Sequence, residues 1–417
     1  MANYSNTSRP AYVWDGVNNQ WVPVGVGPHT HSVADVANAV SNLGGSNIAN
    51  TTATSVPLTL TGAVSQTADL LDVKNSAGTV VANIDANGNF AAQNANYAGK
   101  NKIINGDFGI WQRGTSVGTS SNNIYWADRW SNSNGGGNAI TTSRQSSGLT
   151  GLQYCARIQR NSGTSNTNGI YITHSIETAN SIPLAGKTVT FSFYARAGAN
   201  FSASGSSMVY AVQSGTGTDE SISVGYTGSS TLVSNTVTLT TSWQRFTATA
   251  SVGSTATELG VYFGFTPTGT AGTNDYFELT GVQLEVGSVA TPFTTASGTL
   301  QGELAACQRY YYRNSANGNA NAFFDGTVIA VSSTNFVVNA RMPVTMRTSP
   351  SSLDYSGIAV YDLAASSPIS VTSLSVNQGN PNTPYLYGAV SSGLSTSKFY
   401  MLFANGSSNY IGWSAEL

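Results

Sequence analysis

Thr188-Val189-Thr190-Phe191-Ser192-Phe193-Tyr194-Ala195 is the stretch that decides the fold class. On an extended strand, side chains alternate between faces. Val189, Phe191, Phe193 and Ala195 therefore share one side, with more polar residues opposite, as in a strand that covers a core on one face. Similar runs lie on both sides of it in the chain: Gly169-Ile170-Tyr171-Ile172-Thr173-His174 before, and Trp243-Gln244-Arg245-Phe246, Leu259–Phe265 and Tyr276–Leu284 after. Many alternating strands separated by Gly and Ser turns predict a sandwich or jelly roll over residues 100–313. Gly302–Tyr312 reads as a helix-like segment joining it to a second all-β unit, a β-sandwich at 314–417. That unit closes on Tyr410–Leu417, where Ile411, Trp413, Ala415 and Leu417 alternate with polar neighbours, so the last strand is expected to be tied into a sheet.

Upstream the patterning changes three times. In residues 1–31, Asp15-Gly16 and Asn18-Asn19 separate two aromatic runs and predict a hairpin turn. The piece is too short to bury Trp14 and Trp21, so it is expected to dock on a partner. Over 32–54, Val33, Val36, Val40 and Leu43 form a coiled-coil stripe of about a heptad and a half, too short for a lone helix in water and dependent on neighbouring chains. Over 55–99 the pattern shifts to short strands around tight turns, such as Ser76-Ala77-Gly78 and Asn87-Gly88. Their apolar content is too thin for a monomeric core, which predicts an intertwined β shaft. The fold class is thus mainly β.

Composition narrows the function. At 417 residues the chain exceeds one core and predicts about two to four folded units. Only 9% of residues are charged and the net charge is −2, so no surface neutralises phosphates and a nucleic-acid partner has no electrostatic support. No stretch approaches the ~18 consecutive apolar residues of a membrane span, and Met1–Ser5 opens no signal core, so neither membrane insertion nor secretion by a leader is expected. Cys155 and Cys307 form no disulfide scaffold or zinc site and are read as small buried apolar residues.

The chemical candidates are few. His174 lies on an alternating strand and reads as structural, and no Ser-His-Asp or Cys-His constellation is evident. Asp219/Glu220, Asp275/Glu278 and Glu278/Glu285 are the nearest carboxylate pairs, and the chain is expected not to be an enzyme. In Gly27-Pro28-His29-Thr30-His31, an extended backbone points His29 and His31 to the same side about 7 Å apart. Three chains meeting there would supply six imidazoles to one octahedral metal ion, with iron the choice. The other reading is two exposed histidines before a helix capped by Ser32. With 7 Trp and 20 Tyr on a nearly uncharged background, the inventory suits sugar binding, in which flat rings stack on sugar faces while Asn, Ser and Thr satisfy hydroxyls. Trp111, Trp126 and Trp130 read as packing, whereas Tyr385 and Tyr387, read as lying in a Pro-rich loop, and the similar loop residues Tyr226 and Tyr355 are the glycan-binding candidates.

Asn105-Gly106-Asp107-Phe108-Gly109-Ile110-Trp111-Gln112-Arg113-Gly114-Thr115, followed by Ala127-Asp128-Arg129-Trp130, resembles the opening of a jelly-roll, carbohydrate-binding-like domain of bacteriophage tail fibres. Gln283–Phe293 and Leu304–Tyr311 are similar to its close and its junction with a fibre tip, and His29–Val36 and Ala68–Asn75 look like shaft and collar pieces. The resemblance implies an elongated homotrimeric fibre in the virion, attached by its N-terminus to the phage tail or baseplate. Its C-terminal domains would bind a host-surface glycan, lipopolysaccharide or another polysaccharide. It also implies iron at a threefold axis, because Gly27, His29 and His31 match a glycine-x-histidine-x-histidine motif of fibre tips, and a structural calcium near Asp107 and Glu285. A structural tail subunit and a polysaccharide-depolymerase tailspike are the alternatives.

Overall fold

In the computed structural model, residues 12–15, 20–23, 60–92, 98–319 and 322–417 are described. The chain divides into two units, Met1–Thr61 and Gly62–Leu417. In the first, β1 (Tyr12–Asp15) and β2 (Gln20–Pro23) pair antiparallel with Trp14 opposite Trp21, the hairpin anticipated from the Asp-Gly and Asn-Asn signals. The stripe at 32–54, with His29 and His31, lies outside the described residues.

The second unit opens with a three-stranded antiparallel sheet of β3 (Leu71–Lys74), β4 (Val80–Ile84) and β5 (Phe90–Ala92). Its turns are built by Asn75 and Asp85, whose side chains accept from backbone N–H groups two and four residues on. One face is held by polar contacts: Asn83 donates to Asp69 at 2.7 Å, and Asp69 accepts from Ser288 at 3.2 Å. On the opposite face the register aligns Leu71, Ile84 and Phe90, leaving Leu71, Val73 and Phe90 exposed.

The predicted jelly-roll region is a sandwich of two antiparallel sheets. One orders β13 (Ser230–Thr238), β12 (Ser207–Gly215), β15 (Glu258–Phe265), β10 (Ile170–Ile176) and β7 (Ser131–Ser133). The other orders β14 (Gln244–Ser251), β11 (Thr188–Ala197), β16 (Tyr276–Val286), β9 (Leu152–Arg160), β8 (Ile140–Leu149) and β6 (Ser116–Thr119). From β10 to β16 the chain passes back and forth between them, with only the β12–β13 step staying in one sheet. The deciding strand is β11, and Val189, Phe191, Phe193 and Ala195 are all buried as its alternation requires. Phe193 packs on Phe263 and Tyr210 of the facing sheet at centroid distances of 4.8 and 4.9 Å.

The Asn105–Trp130 motif plugs one end of this sandwich. Asn105 sits at φ 59°, and its side chain accepts from Ile110 N–H while donating to the Ile110 and Asp128 carbonyls. Gly106 lies so close to β16 that a Cβ would fall 2.1 Å from the Val282 carbonyl oxygen, so no other residue fits there. Phe108, Trp126 and Trp130 are fully buried against one another.

The C-terminal unit departs from the expected sandwich. β18 (Phe323–Ala330), β19 (Asn335–Asn339), β23 (Tyr385–Val390), β22 (Ser367–Gln378), β21 (Ile358–Asp362) and β24 (Phe399–Ala404) close into a barrel. Beside it, β17 (Tyr311–Ser315), β25 (Tyr410–Ser414) and β20 (Ser352–Ser356) form a three-stranded sheet, so this unit begins inside the segment assigned to the jelly roll. Closure depends on small residues: Phe336 fills the barrel over Gly388, where a Cβ would come within 2.1 Å of its ring. Inward residues alternate with outward ones in a barrel as in a sandwich, so strand patterning does not separate the two.

The helix Leu300–Gln308, capped by the Thr299 side chain, links the units. The joint it leads to is charged and buried. Arg129 is 1% exposed at its side chain and pairs with Glu416, donates to the Ser175 carbonyl and lies 3.6 Å over the Tyr310 ring. Burial opposes its charge, but Glu416, joined by Tyr310 and Tyr125, more than offsets this and holds the guanidinium protonated. Arg113 also reaches Glu416, and Arg347 spans from Asp219 to the Ala415 and Glu416 carbonyls. Glu416→Ala strands Arg129 without its counter-charge, and a loss of about 3–5 kcal/mol is expected, read as a fall in urea midpoint and Tm. A change below about 1 kcal/mol would show that the joint contributes little.

Candidate functional site

Two concavities lie on the outer face of the barrel. Along β19 and β23 the register sets Val337 abreast of Tyr387 and Asn339 abreast of Tyr385. The ladder continues beyond the strand, with Ala340 N–H donating to the Pro384 carbonyl and Met342 N–H to that of Asn382, so Arg341 lies abreast of Thr383. Phe336, Val338, Ala340, Leu386 and Gly388 point inward and are buried, while Asn339, Arg341, Thr383 and Tyr387 are exposed. Across the strands, Ile329 pairs with both Val337 and Phe399, so one outer row reads Phe399, Ile329, Val337, Tyr387. Phe399 is 65% exposed and Tyr387 38%.

Two grooves flank β18. One of about 560 Å³ is lined by Phe323, Leu363, Phe399 and Met401, the other of about 460 Å³ by Ile329, Asn339, Arg341 and Thr383, and they share Gly326 and Thr327. A bulge between Phe323 and Thr327 creates the step where they meet. Gly326, at φ 131°, makes the bulge possible, since a Cβ there would sit 2.7 Å from Val338. The Asn380–Thr383 loop is pinned by Asn380, whose side chain accepts from Asn382 and Thr383 N–H and donates to Thr383 Oγ1. The result is a preformed surface of aromatic rings interspersed with amide, hydroxyl and guanidinium groups, able to stack on apolar rings and bond hydroxyls.

Of the four tyrosines singled out from the sequence, only Tyr385 and Tyr387 come together. They belong to strand β23, not to the preceding loop. Tyr355 lies on β20, exposed, with its hydroxyl accepting from Leu374 N–H at 3.2 Å. Tyr226 is a correction: it is 7% exposed, donates to the Leu259 carbonyl at 3.0 Å and packs against Gly215 and Gly260, so its ring is part of the interior. Arg341, Asn339, Thr383 and Phe399 escaped the sequence reading. The alternation in Phe336-Val337-Val338-Asn339-Ala340-Arg341 places Arg341 outward, but which strand adjoins it is not encoded locally.

For the docking candidates Trp14 and Trp21, the backbone hairpin is described. The calcium expectation finds no cage: Glu285 accepts from Thr291 N–H, Thr291 Oγ1 and Gln283 Nε2 at 2.9, 2.6 and 2.8 Å, with Lys100 3.9 Å away, surroundings that supply protons and positive charge instead of further oxygen ligands. Asp107 lies elsewhere, beside Glu303, its carboxyl pushed up by burial. Among the described residues no three His, Cys, Asp or Glu side chains group as metal ligands would. Asp275 is paired with Arg160, Glu278 with Arg157 and Arg196, and Asp219 with Arg347, while Glu220 accepts from Thr227. Cys155 and Cys307 are buried thiols, as expected, and burial pushes Cys155 up to about 12.

No family model matches this chain. No curated protein matches it either. Among solved structures it is similar to a protein described under "CBM4 structure and function" at 19% identity, covering 44% of this chain and 99% of that one, TM-score 0.28. It is similar to the CBM22-1 xylan-binding domain from Paenibacillus barcinonensis Xyn10C at 13% identity, covering 47% and 100%, TM-score 0.27. A third is the enzymatically active domain of bacteriophage CBA120 tailspike protein 4, at 8% identity, covering 45% of this chain and 21% of that one, TM-score 0.29. At these scores no residue's role follows from the likeness.

His174 is buried with its Nε2 donating to the Ile104 carbonyl at 3.2 Å and its ring edge-on to Trp130. Burial first, and then the nearby Arg129 charge, hold its pKa well below the usual histidine range, so it stays neutral in the fold. An unfolded histidine protonates near pH 6.5. Its contribution to stability is therefore full above about pH 6.5 and is lost as pH falls toward the lower folded-state pKa. The urea midpoint should decline from pH 7 to pH 5, and His174→Gln should flatten that decline; identical slopes would assign it to other groups.

Proposed function

We propose that this chain is a homotrimeric bacteriophage tail fibre that attaches the virion to its host by binding a surface glycan, lipopolysaccharide or another polysaccharide, without catalysis. The observation that carries the glycan reading is the outer barrel face, where Tyr385 and Tyr387 share a strand face and lie beside Asn339 and Thr383, which line the 460 Å³ groove. The rings offer stacking surface, and the neutral polar groups satisfy hydroxyls without the desolvation cost of charge. The fibre reading rests on the Asn105–Thr115 and Ala127–Trp130 motifs with their closing segment.

Assembly as a trimer accounts for the apolar face of Leu71, Val73 and Phe90 in the second unit, which one chain leaves open. In this reading the hairpin carrying Trp14 and Trp21 docks on a tail or baseplate protein. His29 and His31 would hold iron on the threefold axis. Three barrels per fibre, and several fibres per particle, turn a weak sugar site into firm adsorption.

The test is binding of fluorescently labelled full-length protein to candidate host cells before and after periodate oxidation of their sugars, with light scattering to establish the trimer. Binding by a trimer that disappears on oxidation is the expected result. Tyr385→Ala/Tyr387→Ala should weaken the single-site affinity at least about tenfold while leaving Tm unchanged. A folded trimer that binds no host cells would leave a structural tail subunit, and shortening of purified host polysaccharide would make it a depolymerase.

A further inference from the structure

Charge is scarce on this protein, and almost all of its arginine is spoken for. Among the described residues every other arginine is hydrogen-bonded or ion-paired, most of them to carboxylates or backbone carbonyls. Arg341 is the exception: its guanidinium is exposed and has no partner among the described side chains. It also lines the 460 Å³ groove, whose other lining residues are Gly326, Thr327, Ile329, Asn339 and Thr383, none of them acidic.

Its position is set by the ladder. Val337, Asn339 and Arg341 are successive outward residues, matched by Tyr387, Tyr385 and Thr383 on the neighbouring strand. At ~3.3 Å per residue, Arg341 stands about 13 Å from the Val337–Tyr387 pair, with Asn339 and Tyr385 between them. A chain of sugar rings lying along β23 would stack on the tyrosines and bring its next substituent to the guanidinium. Arginine presents a planar fork of donors that matches a carboxylate or phosphate in two parallel hydrogen bonds, whereas a neutral hydroxyl uses one.

We propose that the glycan taken by this face is acidic, and that a sugar-borne carboxylate or phosphate docks on Arg341 at the end of the Tyr385–Tyr387 platform. This rests on the reading of the barrel face as the glycan site and adds the charge of the ligand to it. Arg341 acts here as a specificity-determining residue. Because it supports nothing else in the fold, it can be replaced without loss of structure.

The experiment uses the full-length trimer and purified surface polysaccharide from a host it binds, presented untreated, carboxyl-reduced or dephosphorylated. Wild type is expected to lose about tenfold in affinity on one of the two treatments, which identifies the anion. Arg341→Gln should show that same loss on untreated polysaccharide, with no further loss after treatment and an unchanged Tm. Arg341→Lys, which keeps the charge without the fork, should fall between them, and binding by wild type should weaken as salt rises. Equal wild-type affinity for treated and untreated polysaccharide, with Tyr385→Ala/Tyr387→Ala still weakening binding at least about tenfold, would overturn the acidic ligand and leave the glycan site standing. If neither the tyrosine variant nor Arg341→Gln alters binding to untreated polysaccharide, both readings fall together.

Discussion

The buried contact between Arg129 and Glu416 ties the sandwich to what lies C-terminal to it. Arg129 belongs to the aromatic motif that plugs the sandwich, and Glu416 follows the strand that completes the small sheet beside the barrel. Their pairing spans 287 residues of chain and is closed over by Tyr310 and Arg113. A guanidinium this deeply buried is tolerated only with its partner in place, so the sandwich and the C-terminal barrel are bound to one arrangement by the cost of separating them. Arg347, reaching from the barrel side to Asp219 of the sandwich, and the bidentate Arg309–Glu177 pair repeat the device nearby.

Much of the sandwich was legible because the apolar residues of its strands alternate, and Val189, Phe191, Phe193 and Ala195 announce the core face, although Thr190 and Ser192 on the other face are buried as well. The tying-in of Ile411 and Trp413 was legible for the same reason, and Trp111, Trp126 and Trp130 are buried as the reading of them as packing expected. The barrel was not. Phe336, Val338 and Leu386 alternate as they would in a sandwich, and closure depends on Phe336 meeting Gly388 across strands, a long-range fact with no local mark.

The candidate site divides along the same line. Tyr385 and Tyr387 stood out as aromatic residues near a Pro-rich loop, a matter of composition. Tyr226 looked equivalent by that standard, yet it fills the space above Gly215 and Gly260, because glycine at those two positions on neighbouring strands left room for a ring. Arg341 looked unremarkable until the pairing of every other described arginine made its freedom visible. A residue's lack of partners is a property of the whole fold.

The two-residue alternation of β19 and β23 has a further consequence, for how the molecule can change. Inward positions Phe336, Val338, Ala340, Leu386 and Gly388 carry the packing, while Val337, Asn339, Arg341, Thr383, Tyr385 and Tyr387 lie on the outer face, where the proposed glycan contact falls. The two sets interleave along the chain but scarcely touch in energy. Outward positions are therefore free to change without disturbing the barrel beneath, and under the proposed role a new ligand preference can arise by a single codon change.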